Sequence, residues 1–488
     1  MKTAGLKTNF VLSTGYRVLA LILPLITAPY TARVLGADGI GAYSYTHSYL
    51  MYFSIFAALG TVSYGSREIA RHRNDRAARS QLFWEIAILT IITSAVCILA
   101  WGAWTLLHRQ YRLYYLILTV ALIGTMFDIS WLYEGLEQFK YTIAQNLLFK
   151  VLGTVSIFLF VKKPEDLWKY ILIVNLSQML GHVSVWIYLP KFVDPVPLRG
   201  IRLKKHFHET LVYFVPTIAI SVYTILDKTL IGLITRDTSE NGNYEQATKI
   251  VDIAKTLSYV GINAVLHSRI SYLFAEKRFE EIKRSIDVSL DYVILISVGF
   301  AFGIIGVADR FVPMYFGGGY DKTVTLLRLM SPLVLIVGIS NCLGSQYYNP
   351  TGLRARSARY IIAGAVLNLC LNLVLIPPFK SVGAVLATVL AEGTISALYM
   401  INCDGYYTFA RLLRQLWKRL LAGAVMLAAV MLIGRRIENG IVAFLTQAAC
   451  GAAVYFLTLI ALRDAFLFTN VLPFLARLCG RLKKEKER

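Results

Sequence analysis

The chain has 488 residues, of which 56% are hydrophobic and only 16% are charged. Soluble domains average about 45–50% apolar and about 25% charged residues, so this composition excludes an ordinary soluble fold. The 50 Lys and Arg outnumber the 29 Asp and Glu and give a formal charge of +21, which by itself would also fit a nucleic-acid-binding protein.

Apolar runs recur along the whole chain, and each is long enough to cross about 30 Å of hydrocarbon as a helix. The runs are continuous instead of alternating with polar residues, which indicates helices and not barrel strands. The sequence therefore predicts an all-α polytopic membrane protein with about fourteen transmembrane helices, the thirteenth being short unless it begins near Leu416. The predicted spans are 10–32, 41–63, 82–107, 113–133, 141–161, 167–190, 210–234, 246–272, 286–308, 323–347, 360–379, 382–402, 420–434 and 440–462.

Lys and Arg are distributed unevenly over the loops. With the N-terminus placed in the cytoplasm, the inside segments carry about three times as many Lys and Arg as the outside loops, as the positive-inside rule requires. Both termini are therefore predicted to be cytoplasmic. The tail Pro473–Arg488 is either a basic amphipathic helix on anionic head groups or a solvated end. Because the charge is spread over every second loop, we expect no nucleic-acid partner.

The loops leave no room for a catalytic or nucleotide-binding domain, and the phosphate-loop pattern GxxxxGK[ST] is absent from the sequence. The six cysteines are scattered singly, without the spacing of a zinc site or a disulfide framework. His206 and His208 lie in a basic loop, where we expect them to be solvated and not metal-bound. We therefore expect no enzyme activity, no cofactor and no metal site.

A weak internal repeat relates the two halves of the chain. Leu-Gly at 35–36 and Gly-Ala-Tyr at 41–43 match Ile-Gly at 231–232 and Gly-Asn-Tyr at 242–244. Six spans separate the copies, so both cross the membrane in the same direction. The predicted organisation is an N-lobe at 1–190, a cytoplasmic linker at 191–209, a C-lobe at 210–402, two appended helices within 403–462 and a basic cytoplasmic tail at 463–488.

The eighth predicted span carries an unusual number of polar residues. At 100° per residue they share one face about 120° wide, a pattern typical of a helix that lines a wet cavity. An internal ion-pair ladder among the three charged residues is the alternative. The face contains Lys249, Asp252, Lys255, Thr256, Tyr259, Asn263 and His267.

Other charges at membrane depth are expensive and therefore informative. Arg17 and Lys150 have no acidic neighbour three or four residues away on their own helices, so each needs another partner, which a bound anion would supply. Together with Lys228, Lys249, Lys255 and Arg269, they form the candidate binding set for an anionic head group. Asp128, Asp227 and Asp252 are the candidates for ion coupling. A structural ion pair between helices fits Asp128 equally well, and it also fits Asp227 and its neighbour Lys228 equally well.

A specific pattern follows the first two predicted spans. It is Tyr-Gly-Ser-Arg-Glu-Ile-Ala at residues 64–70, preceded by Arg-Val-Leu-Gly at 33–36. In the second half, Asn368 and Asn372 precede Ile-Pro at 376–377 and Gly-Ala at 383–384. Over about residues 1–402 the chain resembles the polysaccharide-repeat-unit flippases, the Wzx-type members of the multidrug/oligosaccharidyl-lipid/polysaccharide exporter superfamily.

The resemblance implies two six-helix lobes in a V shape that alternate between inward-open and outward-open states. It implies the transport of an undecaprenyl-diphosphate-linked oligosaccharide to the outer leaflet of the cytoplasmic membrane, for surface polysaccharide synthesis. The expected partners are that glycan lipid, membrane lipids and the polysaccharide polymerase machinery. A diphosphate prefers Arg and Lys donors, which agrees with the cations in the spans.

Three alternatives stay open at this point. A multidrug or organic-cation antiporter of the same superfamily would require an acidic cavity, whereas basic and acidic residues are nearly balanced in the predicted spans. A peptidoglycan-precursor flippase shares the pattern of the second half. A membrane enzyme such as a glycan polymerase would be expected to display a large outside loop with catalytic residues, which the sequence lacks.

Overall fold

The computed structural model describes the backbone of residues 6–197, 201–437 and 440–473. Side chains are described from residue 22 onward, except at 215–217, 219–223, 264, 265, 267, 268, 271 and 275. Every regular element in this part of the chain is helical. The α-helices are α1 Leu6–Ala58, α2 Thr61–Arg71, α3 Arg76–Leu107, α4 Arg112–Met126, α5 Ser130–Gly135, α6 Phe139–Phe160, α7 Leu167–Ser184, α8 Leu203–Thr235, α9 Thr238–Ala275, α10 Phe279–Phe316, α11 Asp321–Met330, α12 Pro332–Leu343, α13 Arg354–Phe379, α14 Ser381–Ile401, α15 Phe409–Arg436 and α16 Gly440–Ala461.

These helices fit a membrane. Ten segments within the described residues are long and apolar enough to cross one, and the remaining predicted spans lie in the long helices α1, α8 and α9. Large apolar side chains such as Leu99, Leu107 and Val374 are more than two-thirds exposed, which suits lipid contact and not water. The predicted all-α polytopic fold with about fourteen transmembrane helices is confirmed.

The chain divides into two compact units, Met1–Gly242 and Asn243–Arg488. In the first unit, α1 contains the first predicted span and most of the second, whose last residues lie in the turn after Ala58 and at the start of α2. Its helical geometry fails only at Gly36, where φ is 70° and ψ is 175°. Glycine adopts this left-handed φ without a steric penalty. The chain therefore changes direction at this one residue, where the predicted spans left a loop at 33–40. The boundaries given above for the two lobes, the linker and the tail stay predictions from the sequence.

The fourth predicted span is interrupted near its end. Helix α4 ends at Met126, and α5 begins at Ser130 after a short non-helical stretch that contains Asp128. The Asp128 carboxylate accepts a hydrogen bond from the Ser130 N–H at 2.9 Å, which satisfies one of the backbone donors at the start of α5. Asp128 thus has a local capping contact at the break.

In the second unit, α10 packs against α11, α12, α15 and α16. A π-helical turn at Gly344–Tyr348 follows α12 and continues its span. Helix α15 begins at Phe409, so the thirteenth span is longer than the predicted 420–434. Its first turns carry basic residues, which lie outside the predicted apolar span. The appended helices α15 and α16 are therefore full-length membrane helices.

Candidate functional site

Helix α9 presents three different faces. One face is buried, with Val251, Ala254 and Ser258 at most 5% exposed. A second face is apolar and exposed, with Leu257 at 50% and Val260 at 41%. The polar residues lie between these two faces, so the predicted polar strip exists as a half-exposed surface along the helix.

Both lysines of this strip have acidic partners on the same helix. The Lys255 Nζ lies 2.6 Å from Asp252 Oδ1, and the Lys249 Nζ lies 3.5 Å from Glu245 Oε1. The ion pair that the ladder alternative predicts is present between Lys255 and Asp252, whereas Lys249 pairs with a residue just before the predicted span. These pairs are local and incompletely buried, since Asp252 is 54% and Lys249 34% exposed. Water or a ligand can therefore reach the charged groups.

The strip ends in a network of uncharged polar groups. Asn263 on α9 donates to Asn341 Oδ1 on α12 at 2.7 Å, and its own Oδ1 accepts from Ser345 at 3.0 Å. Gln346, in the π-helical turn, donates to the same oxygen at 3.3 Å. Its Oε1 is buried and has no hydrogen-bond partner among the described residues. Since π-turns occur frequently at functional sites, this network extends the candidate site from α9 to α12.

The other predicted cations have different surroundings. Lys150 on α6 and Arg269 on α9 are exposed, and neither forms an ion pair within the described part of the chain. Lys228 on α8 is half-buried and interacts with neighbouring groups. The side chain of Arg17 lies outside the described residues, as does that of His267. Among the described cations of the candidate set, Lys249 and Lys255 share one face of one helix.

The three candidate coupling carboxylates also differ. Asp227 on α8 is 6% exposed and interacts with neighbouring groups, whereas Asp252 is largely exposed and paired with Lys255. Asp128 caps α5 and is half-buried. Of these three residues, only Asp227 is a buried carboxylate within an unbroken membrane helix.

A buried polar cluster that the sequence did not predict lies in the first unit. His206 at the start of α8 has its Nε2 2.6 Å from Glu85 Oε2 on α3, and its Nδ1 2.7 Å from the Tyr64 hydroxyl on α2. The expectation of a solvated His206 is wrong, because its side chain is only about 4% exposed. Burial raises the pKa of Tyr64 to about 12, with the Glu68 carboxylate adding to the effect, so Tyr64 keeps its proton at neutral pH.

The two histidines of this loop therefore differ. His208 is exposed and contacts the Lys204 carbonyl oxygen at 2.8 Å, in line with its predicted solvation. One signal for His206 was available in the sequence: Glu85 is the only acid in α3, and a lone carboxylate in an apolar helix needs a partner. The sequence did not indicate which residue that partner would be.

A second buried network holds the appended helices to α10. Arg419 on α15 is 1% exposed and donates to Asp291 Oδ1 and Asp291 O on α10, at 2.7 and 2.9 Å. It also donates to Asp464 Oδ2, which follows α16, at 3.3 Å. Arg411 and Asp287 form a further pair at 2.5 Å between the same two helices. The Arg419 guanidinium is thus paired within the protein and buried, whereas Arg411 is paired but 43% exposed.

The repeat-matched glycines Gly41 and Gly242 lie against each other in the first unit. A Cβ added to Gly41 would overlap the carbonyl oxygen of Thr238, and one added to Gly242 would overlap that of Ala37. The Thr238 hydroxyl also donates to Asp38 Oδ1 at 2.8 Å. Backbone therefore touches backbone where α1, just after its kink, meets the first turn of α9, and only glycine allows this approach.

These features can be compared with known proteins. A family model described as "Polysaccharide biosynthesis protein" matches residues 6–266. The chain belongs to this family. A second model, "Lipid II flippase MurJ", matches residues 147–449, so the two models overlap and together cover nearly all of the chain. The predicted membership of the exporter superfamily is confirmed.

Individual relatives agree with this assignment. A protein of Escherichia coli K12 named "Putative O-antigen transporter" is 24% identical over 387 residues, which are 78% of this chain and 92% of the relative. The solved structure titled "Lipid II flippase MurJ, inward closed conformation" has a TM-score of 0.77 at 13% identity, over 93% of this chain and 99% of that one. An inward-facing multidrug resistance MATE transporter has a TM-score of 0.54 at 12% identity, over 84% and 98%. At such identities the structures show the fold alone.

Proposed function

We propose that this protein is a flippase for a lipid-linked oligosaccharide. It moves an undecaprenyl-diphosphate-linked repeat unit from the inner to the outer leaflet of the cytoplasmic membrane by alternating access, for surface polysaccharide synthesis. The observation that carries the proposal is the family match over more than half of a multi-pass membrane chain, together with a relative named for O-antigen transport. The polymerase machinery is a proposed partner, and no catalytic step is assigned to the protein.

The polar strip of α9 supports this substrate class. Lys249 and Lys255 are partly exposed ammonium groups at membrane depth, with side chains 34% and 21% exposed, and a diphosphate offers them a stronger charge-assisted partner than a single carboxylate does. On this proposal, head-group binding replaces Glu245 and Asp252 as the partners of the two lysines. Arg17, Lys150, Lys228 and Arg269 stay candidates for the rest of the head-group path.

The Gly41–Gly242 contact gives alternating access a specific structural element. In the proposed topology both glycines lie toward the outer side of the membrane, Gly41 just after the kink of α1 and Gly242 near the start of α9. Opening to the outer leaflet requires α1 and α9 to separate at this contact. Asp227, Asp252 and Asp128 are the candidates for the carboxylate that couples this motion to an ion gradient. Transport by reconstituted vesicles that is unchanged when proton and sodium gradients are both collapsed would contradict the coupling.

Substitution of the strip lysines tests the substrate class. In proteoliposomes containing the lipid-linked repeat unit, Lys249→Arg and Lys255→Arg should keep most of the translocation, because the charge is retained. Lys255→Gln should lose it, and Lys255→Glu should lose more, since an anion repels a diphosphate. Lys283→Gln, at an exposed position of α10, is the matched control. A drug antiporter would tolerate Lys255→Glu better than Lys255→Gln.

The MurJ matches favour a peptidoglycan-precursor flippase as the second candidate, because that model covers residues 147–449 and that structure has a TM-score of 0.77. The two substrates share the prenyl diphosphate, so the strip lysines do not separate them. The two candidates are distinguished by measuring the translocation of lipid II and of an O-antigen-type repeat unit side by side in the same vesicles. Faster transport of lipid II would replace the first proposal with the second.

The proposed topology places both termini in the cytoplasm. Cysteines at Gly318 and Ala355, in a cysteine-free background, test it directly, because both positions are exposed and Gly318 has open space for a side chain. An impermeant thiol reagent added to intact cells should label the cysteine at Gly318 and not the one at Ala355. The reverse labelling would invert the orientation.

A further inference from the structure

A pocket lies in the second unit, away from the polar strip of α9. It has a volume of about 560 Å³ and is formed where three connections meet: the α9–α10 turn, the segment after the π-helical turn and the α14–α15 loop. In the proposed topology all three connections are cytoplasmic. Its lining includes Phe274, Phe279, Tyr347, Thr351, Asp404 and Tyr406.

Aromatic rings make up one wall of this pocket. The Tyr406 ring lies 5.0 Å from that of Tyr347 and 6.1 Å from that of Phe274, measured between centroids. Phe279, at the start of α10, is 53% exposed. This wall provides flat apolar surface beside a polar group, and aromatic side chains of this kind prefer ligands with an apolar face.

The polar group is the Asp404 carboxylate, whose side chain is 58% exposed. Asp404 and Gly405 both have positive φ, of 49° and 74°, so the tight loop fixes the position of the acid. Asp404 accepts a hydrogen bond from the Tyr347 hydroxyl, and its Oδ1 lies 3.6 Å from Arg356 Nη1. Each carboxylate oxygen can accept more than one hydrogen bond, so the group can accept further donors from a ligand.

The surrounding charge decides between two ligand classes. An aromatic wall with a carboxylate suits an organic cation, as in aromatic cages, or a sugar ring. The Arg356 guanidinium already pairs with Asp404 at 3.6 Å, and the other charges of the same connections balance, with Glu276, Glu280 and Glu281 against Lys277, Arg278 and Arg354. The pocket therefore has no excess of negative charge that would favour a cation. A pyranose ring, which has an apolar C–H face and a rim of hydroxyl donors, matches the wall, the acid and the volume.

We infer that this pocket binds a sugar ring, neutral or acidic, of the oligosaccharide before its translocation. The inference rests on the proposed function and adds a glycan-recognition site to it, separate from the lysines that would hold the diphosphate. The pocket would distinguish one repeat unit from another, which a diphosphate site cannot do because every undecaprenyl-diphosphate-linked glycan carries that group.

The test uses the full-length protein in lipid nanodiscs and saturation-transfer NMR. The probes are the free repeat-unit oligosaccharide, released by mild acid from the source cells' lipid-linked pool, and tetramethylammonium. We expect saturation transfer to ring protons of the oligosaccharide, weakened about five- to tenfold by Tyr406→Ala and by Asp404→Asn. Stronger binding of tetramethylammonium than of the oligosaccharide, or no oligosaccharide binding by the wild type, overturns the inference.

Two matched variants at the other end of α10 control for general damage. Tyr315→Ala removes a tyrosine whose ring stacks on Phe311 at 4.9 Å, and Asp309→Asn removes an exposed acid paired with Arg328. Neither should change oligosaccharide binding, and an equal loss in these controls overturns the location of the site. Translocation in proteoliposomes separates this inference from the proposed function. If Tyr406→Ala translocates the lipid-linked oligosaccharide at the wild-type rate at limiting substrate, only the sugar site is overturned. If the wild-type protein does not translocate it at all, the flippase proposal is overturned.

Discussion

The two groups of charged residues in the second unit are built in opposite ways. Arg419 joins α10, α15 and the segment after α16, is almost completely buried, and uses three acceptors from residues distant in sequence. Lys249 and Lys255 on α9 pair only with acids three or four residues away and stay half-exposed. The first arrangement fixes helices in place, and the second leaves cations that can change partners.

This contrast predicts its largest effect on stability at Arg419. Arg419→Ala leaves the buried Asp464 and the partly buried Asp291 without their cation, and the loss of one partner of a buried pair costs about 3–5 kcal/mol in soluble proteins. We expect a large drop in the thermal unfolding temperature of the purified protein in detergent. Arg414→Ala, at an exposed position of the same helix, is the control and should change little. Equal stability of the two variants would show that the buried network does not hold α15 to α10.

The glycine contact in the first unit should respond next. Gly41→Ala forces α1 and α9 apart at this point because its methyl group has no space, at a cost of about 1–3 kcal/mol for this contact. We expect increased labelling of a cysteine placed at Asp38, near the contact. Gly102→Ala, on α3 with open space around it, is the control. Unchanged labelling in Gly41→Ala would mean that the contact does not determine the state.

The buried histidine cluster should give a smaller effect. His206→Ala removes one donor from Glu85, which keeps hydrogen bonds from Gln81 and the Arg202 N–H, so we expect a loss of about 1–3 kcal/mol. His208→Ala should be nearly neutral because its side chain is exposed. Thermal unfolding of both variants measures the difference. An equal effect of the two substitutions would contradict the structural role of His206.

The smallest effect is expected at the exposed pair between Arg76 and Asp194, which lies just past the end of a membrane helix. The Arg76 guanidinium, at 2.7 Å, holds the pKa of the Asp194 carboxyl below its ordinary value. The stability from this pair is therefore fully present above the ordinary pKa of an aspartate and is lost as the pH falls through the lowered pKa of Asp194. Proteolysis within residues 192–197 should increase only at acid pH, and Asp194→Asn should raise it slightly at neutral pH. Proteolysis that does not vary with pH would contradict a role for the pair.

The sequence predicted well what depends on neighbours along the chain. The membrane helices follow from the length of their apolar runs, and the polar strip of α9 follows from helical periodicity alone. The Glu245 partner of Lys249 was missed only because it precedes the predicted span by one residue.

The sequence could not predict contacts between distant segments. His206 lies 121 residues from Glu85, and Arg419 lies 128 residues from Asp291. Composition places both residues in basic segments that read as solvent-exposed, and only the packing of α8 on α3 and of α15 on α10 buries them. The same limit applies to the pocket around Asp404, which three separate connections create.

The double variant Lys249→Gln and Lys255→Gln tests head-group binding by the strip of α9, with translocation and thermal unfolding measured on the same purified protein. We expect an unchanged unfolding temperature, because partly exposed pairs within a single helix contribute little stability. We expect translocation to fall by at least about ten- to a hundredfold, which is the value of a single charge-assisted hydrogen bond to an anion. Translocation of the lipid-linked oligosaccharide at the wild-type rate would show that the strip of α9 does not bind the head group, and a loss that follows a fall in stability would assign the lysines to the fold.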